Sequence, residues 1–434
     1  MTQETKKTLV VDATDQAAGN GIMSRRFFLN SAMATGAVIA GGPAAFAQET
    51  PVGEGQEDWT LMPGDDTPEY GDVSGFEKGR VKKFVAPPAG GRTASSAGRT
   101  PLHLLHGTIT PSGLHFEVTH HGVPDIDPDK HKVVIHGMVE RPLKWDVEAL
   151  ENYSTVTKQY FLECSGNGRV NWAQPQPDQN FMYMTHGLVS GSEWTGVPLS
   201  TLLDECGVSP DAKWIIAEGG DSGALSRSIP IDKALDDTIV AIYQNGERLR
   251  PSQGYPMRIL NPGFEGNTSV KWVRSLYVTD RPVMSRFETS KYTDKLHDGK
   301  SLQFSLEMDV KSVITRPSSA VSLEKKGMYE ITGLAWSGRG KVTKVEVSAD
   351  GGKTWAEAAV EGPIQSKMLT RFRIPWMWEG RPAILQSRAT DEFGRVQPSR
   401  EALLAARGKQ AYYHYHAIHS WSVNARGAIR HVYA

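Results

Sequence analysis

The rhythm of hydrophobic and polar positions divides the chain into regions of different texture. From Leu102 to about Phe304, short apolar runs rich in β-branched residues read as strands: Lys132-Val133-Val134-Ile135-His136-Gly137, Trp214-Ile215-Ile216-Ala217 and Thr238-Ile239-Val240-Ala241-Ile242. Between them, Val147 to Asn152 and Leu199 to Cys206 read as helices, the first a stub and the second with Ser200 as its N-cap. The alternation is irregular and loop-rich, so residues 101–309 form a mixed α and β domain and not a repeating βαβ unit.

After about Val310 the period shortens to two. Lys344-Val345-Glu346-Val347-Ser348 alternates strictly, and Asp350-Gly351-Gly352 then turns the chain into Lys353-Thr354-Trp355, a hairpin signature. Further strand candidates at Tyr329 to Thr332, Leu369 to Ile374 and Ala383 to Ala389 have the spacing of a β-sandwich. Residues 310–434 are therefore expected to form a second, all-β, immunoglobulin-like domain.

The N-terminal hundred residues carry neither period. Residues 48–100 are mixed in charge and rich in Gly and Pro, as in Ala86-Pro87-Pro88-Ala89-Gly90-Gly91, and read as an extended arm or linker. Within residues 1–47, Ser24-Arg25-Arg26-Phe27-Phe28-Leu29 precedes an uncharged, Ala/Gly-rich stretch that ends Ala45-Phe46-Ala47. That order predicts a twin-arginine export signal cut after Ala47, and hence a periplasmic protein exported already folded. Asn30, Pro43 and the many glycines make the stretch a poor spanning helix, so no stable membrane insertion is expected.

Composition narrows the chemistry. In 434 residues, 48 basic side chains face 49 acidic ones, which excludes a nucleic-acid-binding surface dominating the whole protein. The only cysteines, Cys164 and Cys206, leave no disulfide framework, zinc cluster or CxxCH haem attachment. Cys164 ends the strand-like run Tyr160-Phe161-Leu162-Glu163 and is followed by Ser165-Gly166-Asn167-Gly168-Arg169, whose glycines let the backbone turn and the thiol project into a site. A buried structural cysteine has the same spacing; Arg169, a cation able to favour thiolate, points to a metal ligand. Cys206 reads as a core residue at a helix end. His414-x-His416-x-x-His419, set among Tyr412, Tyr413, Tyr415 and Trp421, reads as a packed or partner-facing aromatic strand ahead of a metal site.

These motifs together resemble the sulfite oxidase family of molybdenum enzymes. The resemblance is carried by Cys164 to Arg169, Trp194-Thr195-Gly196-Val197-Pro198-Leu199, Gly219-Gly220-Asp221, Gly254-Tyr255-Pro256-Met257-Arg258 and Val270-Lys271-Trp272. Gly333 to Gly338 and Ser348 to Trp355 are similar to that family's dimerisation domain, and the similarity runs from about Leu114 to the end. It implies a sulfite oxidase-type molybdopterin domain followed by the sandwich, with one molybdenum-molybdopterin whose only protein ligand to the metal is Cys164. The same resemblance assigns cofactor contacts to His121, Asp221, Arg258 and Lys271, backbone contacts to Ser269 and Val270, and Gln253 to a position usually held by histidine. Arg169 and Arg407 match oxyanion-binding arginines, and Tyr292 matches the tyrosine beside the metal.

A further family arginine, just before the His-Gly turn, falls here on Thr119 or His120, which predicts a less cationic pocket than one built for free sulfite. With the N-terminal arm and the His/Tyr-rich tail as docking surfaces, this points to the branch that oxidises sulfane sulfur held on a carrier protein during thiosulfate oxidation. The expected partners are that sulfur carrier, a c-type cytochrome subunit, expected to be dihaem, that takes the electrons, and a second copy of the chain. A sulfite dehydrogenase passing electrons to cytochrome c is the neighbouring alternative, and a cofactor-free binding or assembly protein the alternative of another class.

Overall fold

The computed structural model describes residues 16–24, 71, 73–85, 96–172, 174–177, 179 and 181–434. Arg25-Arg26, the expected cleavage point after Ala47 and most of the expected arm lie outside the described residues.

The first domain is built from two five-stranded sheets. One runs in the order Ser226–Pro230, Trp214–Gly219, Val273–Thr279, Val133–Gly137, Leu143–Trp145, antiparallel except where Val273–Thr279 meets Val133–Gly137. The other places Val189–Pro198 between Ile239–Gln244 and Val156–Glu163, with Arg258–Leu260 also on Ile239–Gln244. Short helices Val147–Glu151, Leu199–Cys206 and Ile231–Asp236 flank the sheets. Leu199, Leu202, Leu203 and Cys206 line up on one face at helical spacing and bury in a core shared with Ile215, Val240 and Leu276, so Cys206 is a packing residue. Ser200 is not the cap of its helix: Pro198 occupies the cap position and Ser200 lies inside the first turn. Asp146 does cap its helix, accepting a hydrogen bond from the Ala149 N–H.

The C-terminal region is the expected two-sheet sandwich. Lys311–Arg316, Gly327–Trp336 and Thr370–Trp378 form one face, and Val342–Ser348, Ala383–Asp391, Ser420–Val423 and Ile429–Val432 the other. Strict alternation buries Val345, Val347, Leu385, Ile331, Phe372 and Trp376 between them. After the Gly351-Gly352 turn, pairing resumes at Ala356–Glu357 and not at Lys353 to Trp355.

The region read as a linker is partly strand. Lys83–Val85, Ser96–Arg99 and Glu117–Thr119 form a three-stranded sheet. Ladder pairing runs through backbone groups and requires no apolar period, so even the central strand, Ser96–Arg99, left no pattern in the sequence.

The domains are joined beneath Cys164. Successive strand residues point to opposite faces, so at the end of Val156–Glu163 the Glu163 side chain points into the sandwich while Cys164 faces the other way. Glu163 is fully buried; it accepts from Lys311 Nζ at 2.9 Å, Asn167 Nδ2 at 2.9 Å and Trp336 Nε1 at 2.7 Å. Replacing Glu163 with Gln would strand the Lys311 charge in the interior. The expected loss is about 3–5 kcal/mol in chemical denaturation, partly recovered when Lys311→Met is added; an unaffected midpoint would show that the pair does not hold the domains.

Candidate functional site

Two adjoining cavities meet at the Cys164 thiol. The inner one is walled by Asp221, Gln253, Arg258, Ser269, Val270 and Lys271. The outer one, about 510 Å³, is walled by Arg99, His121, Arg169, Arg286, Lys291, Tyr412 and Tyr413 among others. Cys164, Val118, His120 and Tyr292 border both. Of the residues expected at the site, all but Arg407 come to this pair of cavities.

Local backbone chemistry sets the positions. The Cys164 N–H donates to the Leu188 carbonyl at 2.9 Å and the Cys164 carbonyl accepts from the Asn167 N–H at 2.8 Å, closing a tight turn under the thiol. Gly168, at φ +88°, then starts the short helical turn Arg169–Asn171, and a side chain there would press on Tyr415. On the opposite wall, Gly254 at φ +110° lets the chain fold so closely that a β-carbon would lie 3.1 Å from Arg258 and 3.2 Å from Lys271. Arg258 and Lys271 face each other in an antiparallel bridge.

These two cations are the electrostatic anomaly of the inner cavity. Arg258 donates to the carbonyls of Gln253 at 2.9 Å and Ser269 at 2.8 Å, and Lys271 to those of Val118 at 3.1 Å and Ser252 at 2.9 Å. Neither has a carboxylate partner within salt-bridge distance among the described residues. Burial lowers the Lys271 amine to about 7, with Arg258 adding repulsion, and burial lowers Arg258 to about 9. A buried Arg258 and a part-buried Lys271, both hydrogen-bonded to carbonyls alone, make a receptor for an anion of high charge. On the outer side, the His121 Nδ1 is buried without a partner, and Gly223 leaves room for the His121 ring because it has no side chain. A molybdopterin, with its phosphate and polar ring system, fits this donor set.

Arg169 does not dominate the Cys164 thiol as expected. Burial raises the thiol to about 11, outweighing the opposing pull of the Gly166 backbone and Arg169. Arg169 instead points along the outer cavity, its guanidinium 5.0 Å from the centre of the Tyr412 ring.

Tyr292 is held in a left-handed backbone, φ +54°, with its hydroxyl 3.0 Å from His120 Nε2 and Arg227 4.8 Å from its ring centre. Arg227 is itself fixed by Glu265 at 2.8 Å and Glu288 at 3.0 Å. Burial opposes the Glu265 charge, but Arg227 and His414 hold its carboxyl at about 2.

Arg407 is not at the site. It pairs with the buried Asp294 at 2.8 Å, and Asp294 in turn accepts from the backbone N–H groups of Tyr412 at 2.8 Å and Tyr413 at 3.1 Å. Arg407 thus holds the segment that brings those tyrosines to the outer cavity. That segment is irregular, not a strand, and mostly inward: His414, Tyr415 and His419 are buried, while Tyr412 is 43% exposed. Among the described residues no cluster of His, Cys, Asp or Glu forms a metal site.

The position of the missing arginine resolves in an unexpected way. Thr119 is buried in its strand and meets Ser96 at 3.1 Å, while His120 borders both cavities. The charge is supplied elsewhere, by Arg99 from the strand Ser96–Arg99. Its Nε donates to the Met184 carbonyl at 3.0 Å and its Nη1 is buried without a partner. Burial and then Arg169 lower its basicity, and Cys164 works the other way, which places Arg99 electrostatically beside both. The outer cavity is therefore lined by Arg99, Arg169, Arg286 and Lys291 with no carboxylate on its wall, more cationic than the sequence suggested. Arg99 escaped sequence reading because it sits in the stretch taken for a linker, where no apolar period marks the strand.

Comparison with known proteins agrees with this geometry. Residues 120–287 match the oxidoreductase molybdopterin binding domain, and residues 303–420 the Mo-co oxidoreductase dimerisation domain. The chain is similar to NADH nitrate reductases, 31% identical over 350 residues in Solanum lycopersicum and 32% over 284 residues in Ulva prolifera. These alignments cover 69% and 59% of the chain but only 37% and 33% of those relatives, so it spans about a third of their length. Among solved structures it is similar to the sulfane dehydrogenase SoxCD from Paracoccus pantotrophus, at 42% identity and a TM-score of 0.85, over 88% of this chain and 99% of that one. With a buried-cation cavity beside Cys164, both domain matches and this relative in hand, the chain belongs to the sulfite oxidase family of molybdenum oxidoreductases and takes molybdenum-molybdopterin as its cofactor.

Proposed function

We propose that the protein oxidises sulfane sulfur carried on a partner protein, as the molybdenum subunit of a sulfane dehydrogenase, and passes the electrons to a c-type cytochrome subunit. The observation that carries the reading is the junction itself: a thiol set between an inner receptor for an anion and an outer, cation-lined mouth. The similarity to a sulfane dehydrogenase over nearly its whole length supports the substrate class. A homodimer through the sandwich follows from the match to a dimerisation domain. Export to the periplasm follows from Arg25-Arg26 and the Ala47 boundary.

In this reading Arg258 and Lys271 hold the cofactor's phosphate, and Asp221, Gln253, His121 and the backbone at Ser269 and Val270 orient its ring system. Cys164 supplies the metal's protein ligand. When bound, the cofactor provides the two-electron redox chemistry. The protein's own part is orientation and charge. Arg99 and Arg169 hold the anionic end of the substrate, and Tyr292, its hydroxyl on His120 and its ring against Arg227, keeps one orientation beside the thiol. Tyr412 and Tyr413 form the wall nearest a docked carrier. Arg407 acts on the substrate only through those tyrosines.

Cys164→Ser is expected to abolish oxidation while most of the bound pterin, measured by extraction and fluorescence, remains, because the phosphate contacts lie elsewhere. Near-normal turnover in that variant would overturn the ligand assignment.

Lys271 makes the cofactor-free protein sensitive to pH. Between about pH 7 and pH 10.5 the unfolded chain binds a proton that the folded chain has released at Lys271, so stability rises with pH across that window. Cofactor-free Lys271→Met should melt higher than cofactor-free wild type at pH 6, by an amount on the order of a few kcal/mol. The gap should close toward pH 10.5. The same variant should retain far less cofactor. An equal melting temperature at both pH values would show that no charge is confined there.

Sulfite oxidation stands as the second reading because Arg99 restores the cationic mouth. Steady-state oxidation of free sulfite against carrier-bound sulfane sulfur, with the cytochrome partner, separates the two. The carrier-bound substrate is expected to win in kcat/KM; equal or better efficiency on free sulfite reverses the assignment. Arg99→Gln should weaken use of an anionic substrate by roughly ten- to a hundredfold, the value of one charge-assisted contact.

A further inference from the structure

The segment immediately ahead of Arg25-Arg26 is folded against the C-terminal sandwich. Gln16–Ala18 and Ile22–Met23 pair as a hairpin, and Ile22 continues the sheet by pairing with Trp376 on the strand Thr370–Trp378. The turn between them uses left-handed backbone at Asn20, φ +56°, and Gly21, φ +87°. A side chain on Gly21 would collide with the Met377 carbonyl, so only glycine lets the strands close.

The hairpin is bound as a ligand is bound. The Met377 N–H donates to the Gly21 carbonyl at 2.8 Å and the Trp376 indole to the Asn20 carbonyl at 2.8 Å. Asn20 Nδ2 donates to the carbonyls of Ala349 at 2.8 Å and Pro382 at 3.3 Å, and the Gly19 N–H to Thr354 Oγ1 at 2.7 Å. Ile22 and Met23 are 0% exposed, and Ile22 is part of the sandwich core. Its partners come from the strand end at Trp376-Met377, the Pro382 loop that follows it, and the Ala349 to Thr354 turn from an earlier hairpin, which come together only in the folded domain. A leader read solely as a linear address has no need of a buried Ile and Met or of a turn shaped to a distant loop.

We propose that the edge of the C-terminal sandwich is a docking site for the chain's own Gln16–Met23 hairpin, and that this docking makes the Arg25-Arg26 signal readable only after this domain has folded. Strand addition to a free sheet edge supplies the recognition, through main-chain pairing plus pockets for alternate side chains. Ser24 alone separates Met23 from the arginine pair in the sequence. The proposal rests on reading Arg25-Arg26 as an export signal.

The test uses the full-length, cofactor-loaded precursor and two readouts, hydrogen exchange at the Met377 amide and the exported fraction in a bacterial host. Ile22→Asp should speed exchange at Met377 by more than about tenfold and lower export, with oxidation by the purified protein unchanged. Asn20→Ala, which removes only the side-chain hydrogen bonds to the Ala349 and Pro382 carbonyls, should move both readouts the same way in a sandwich of wild-type melting temperature. Met377 protection unchanged in both variants would overturn docking. Lost protection with wild-type export would overturn the presentation role. Arg25→Lys with Arg26→Lys should block export and leave Met377 protected; normal export there would instead sink the export reading, with docking still intact.

Discussion

The Glu163 carboxylate organises the molecule. It is the last residue of a strand whose next residue is Cys164, and it is buried with Lys311, Trp336 and Asn167 around it. Lys311 and Trp336 belong to the sandwich, while Asn167, whose Nδ2 donates to Glu163, accepts at its side-chain oxygen from the Leu188 N–H at 3.1 Å. One ion pair therefore fixes the domain interface, the turn under the thiol and the neighbouring strand together. A buried pair of this kind contributes little net stability against an apolar substitute, yet breaking it from one side is costly, and that asymmetry enforces a single arrangement. The reacting centre needs such an arrangement more than it needs extra stability.

Around that anchor the site is layered by charge. The inner cavity holds Arg258 and Lys271 with no carboxylate among the described residues in salt-bridge range of either, and the outer cavity holds Arg99 and Arg169. Behind the outer wall the cations are neutralised instead: Arg227 by Glu265 and Glu288, Arg407 by Asp294. Where the protein supplies the counter-charge, the arginine positions a tyrosine; where it withholds it, the arginine or lysine is left for a ligand. This distinction separates Arg407 from Arg169, two residues that a motif treats alike.

Much of this was legible in the sequence and part was not, for physical reasons. Strand runs such as Trp214 to Ala217 and the alternation at Lys344 to Ser348 were readable because burial on one or both sheet faces imposes a pattern on neighbouring residues. Cys164, Asp221, Arg258 and Lys271 were readable through motifs, since close backbone approach demands glycines beside them. Arg99 and the strands Lys83–Val85 and Ser96–Arg99 were not, because backbone pairing of such short strands leaves no periodic trace. The environment of Lys271 was equally hidden: a buried lysine and a surface lysine are the same letter, and only the fold shows which carbonyls surround it. The role of Arg407 depended on Asp294, 113 residues earlier, a pairing no local window contains.

The confined charge of the inner cavity links the cofactor to folding. Without an anion, Arg258 and Lys271 are held in the interior at a cost that the rest of the fold must offset, as their lowered basicity records. An anionic cofactor removes that cost in the folded state alone, so its binding free energy adds directly to stability. The cavity that would take this cofactor also borders Cys164, whose neighbour Glu163 carries the interdomain pair. Loading, closure of the turn under the thiol and seating of the sandwich are therefore thermodynamically coupled. The Gln16–Met23 hairpin is positioned to report on the last of these, because the surface it occupies is assembled only when the sandwich is complete.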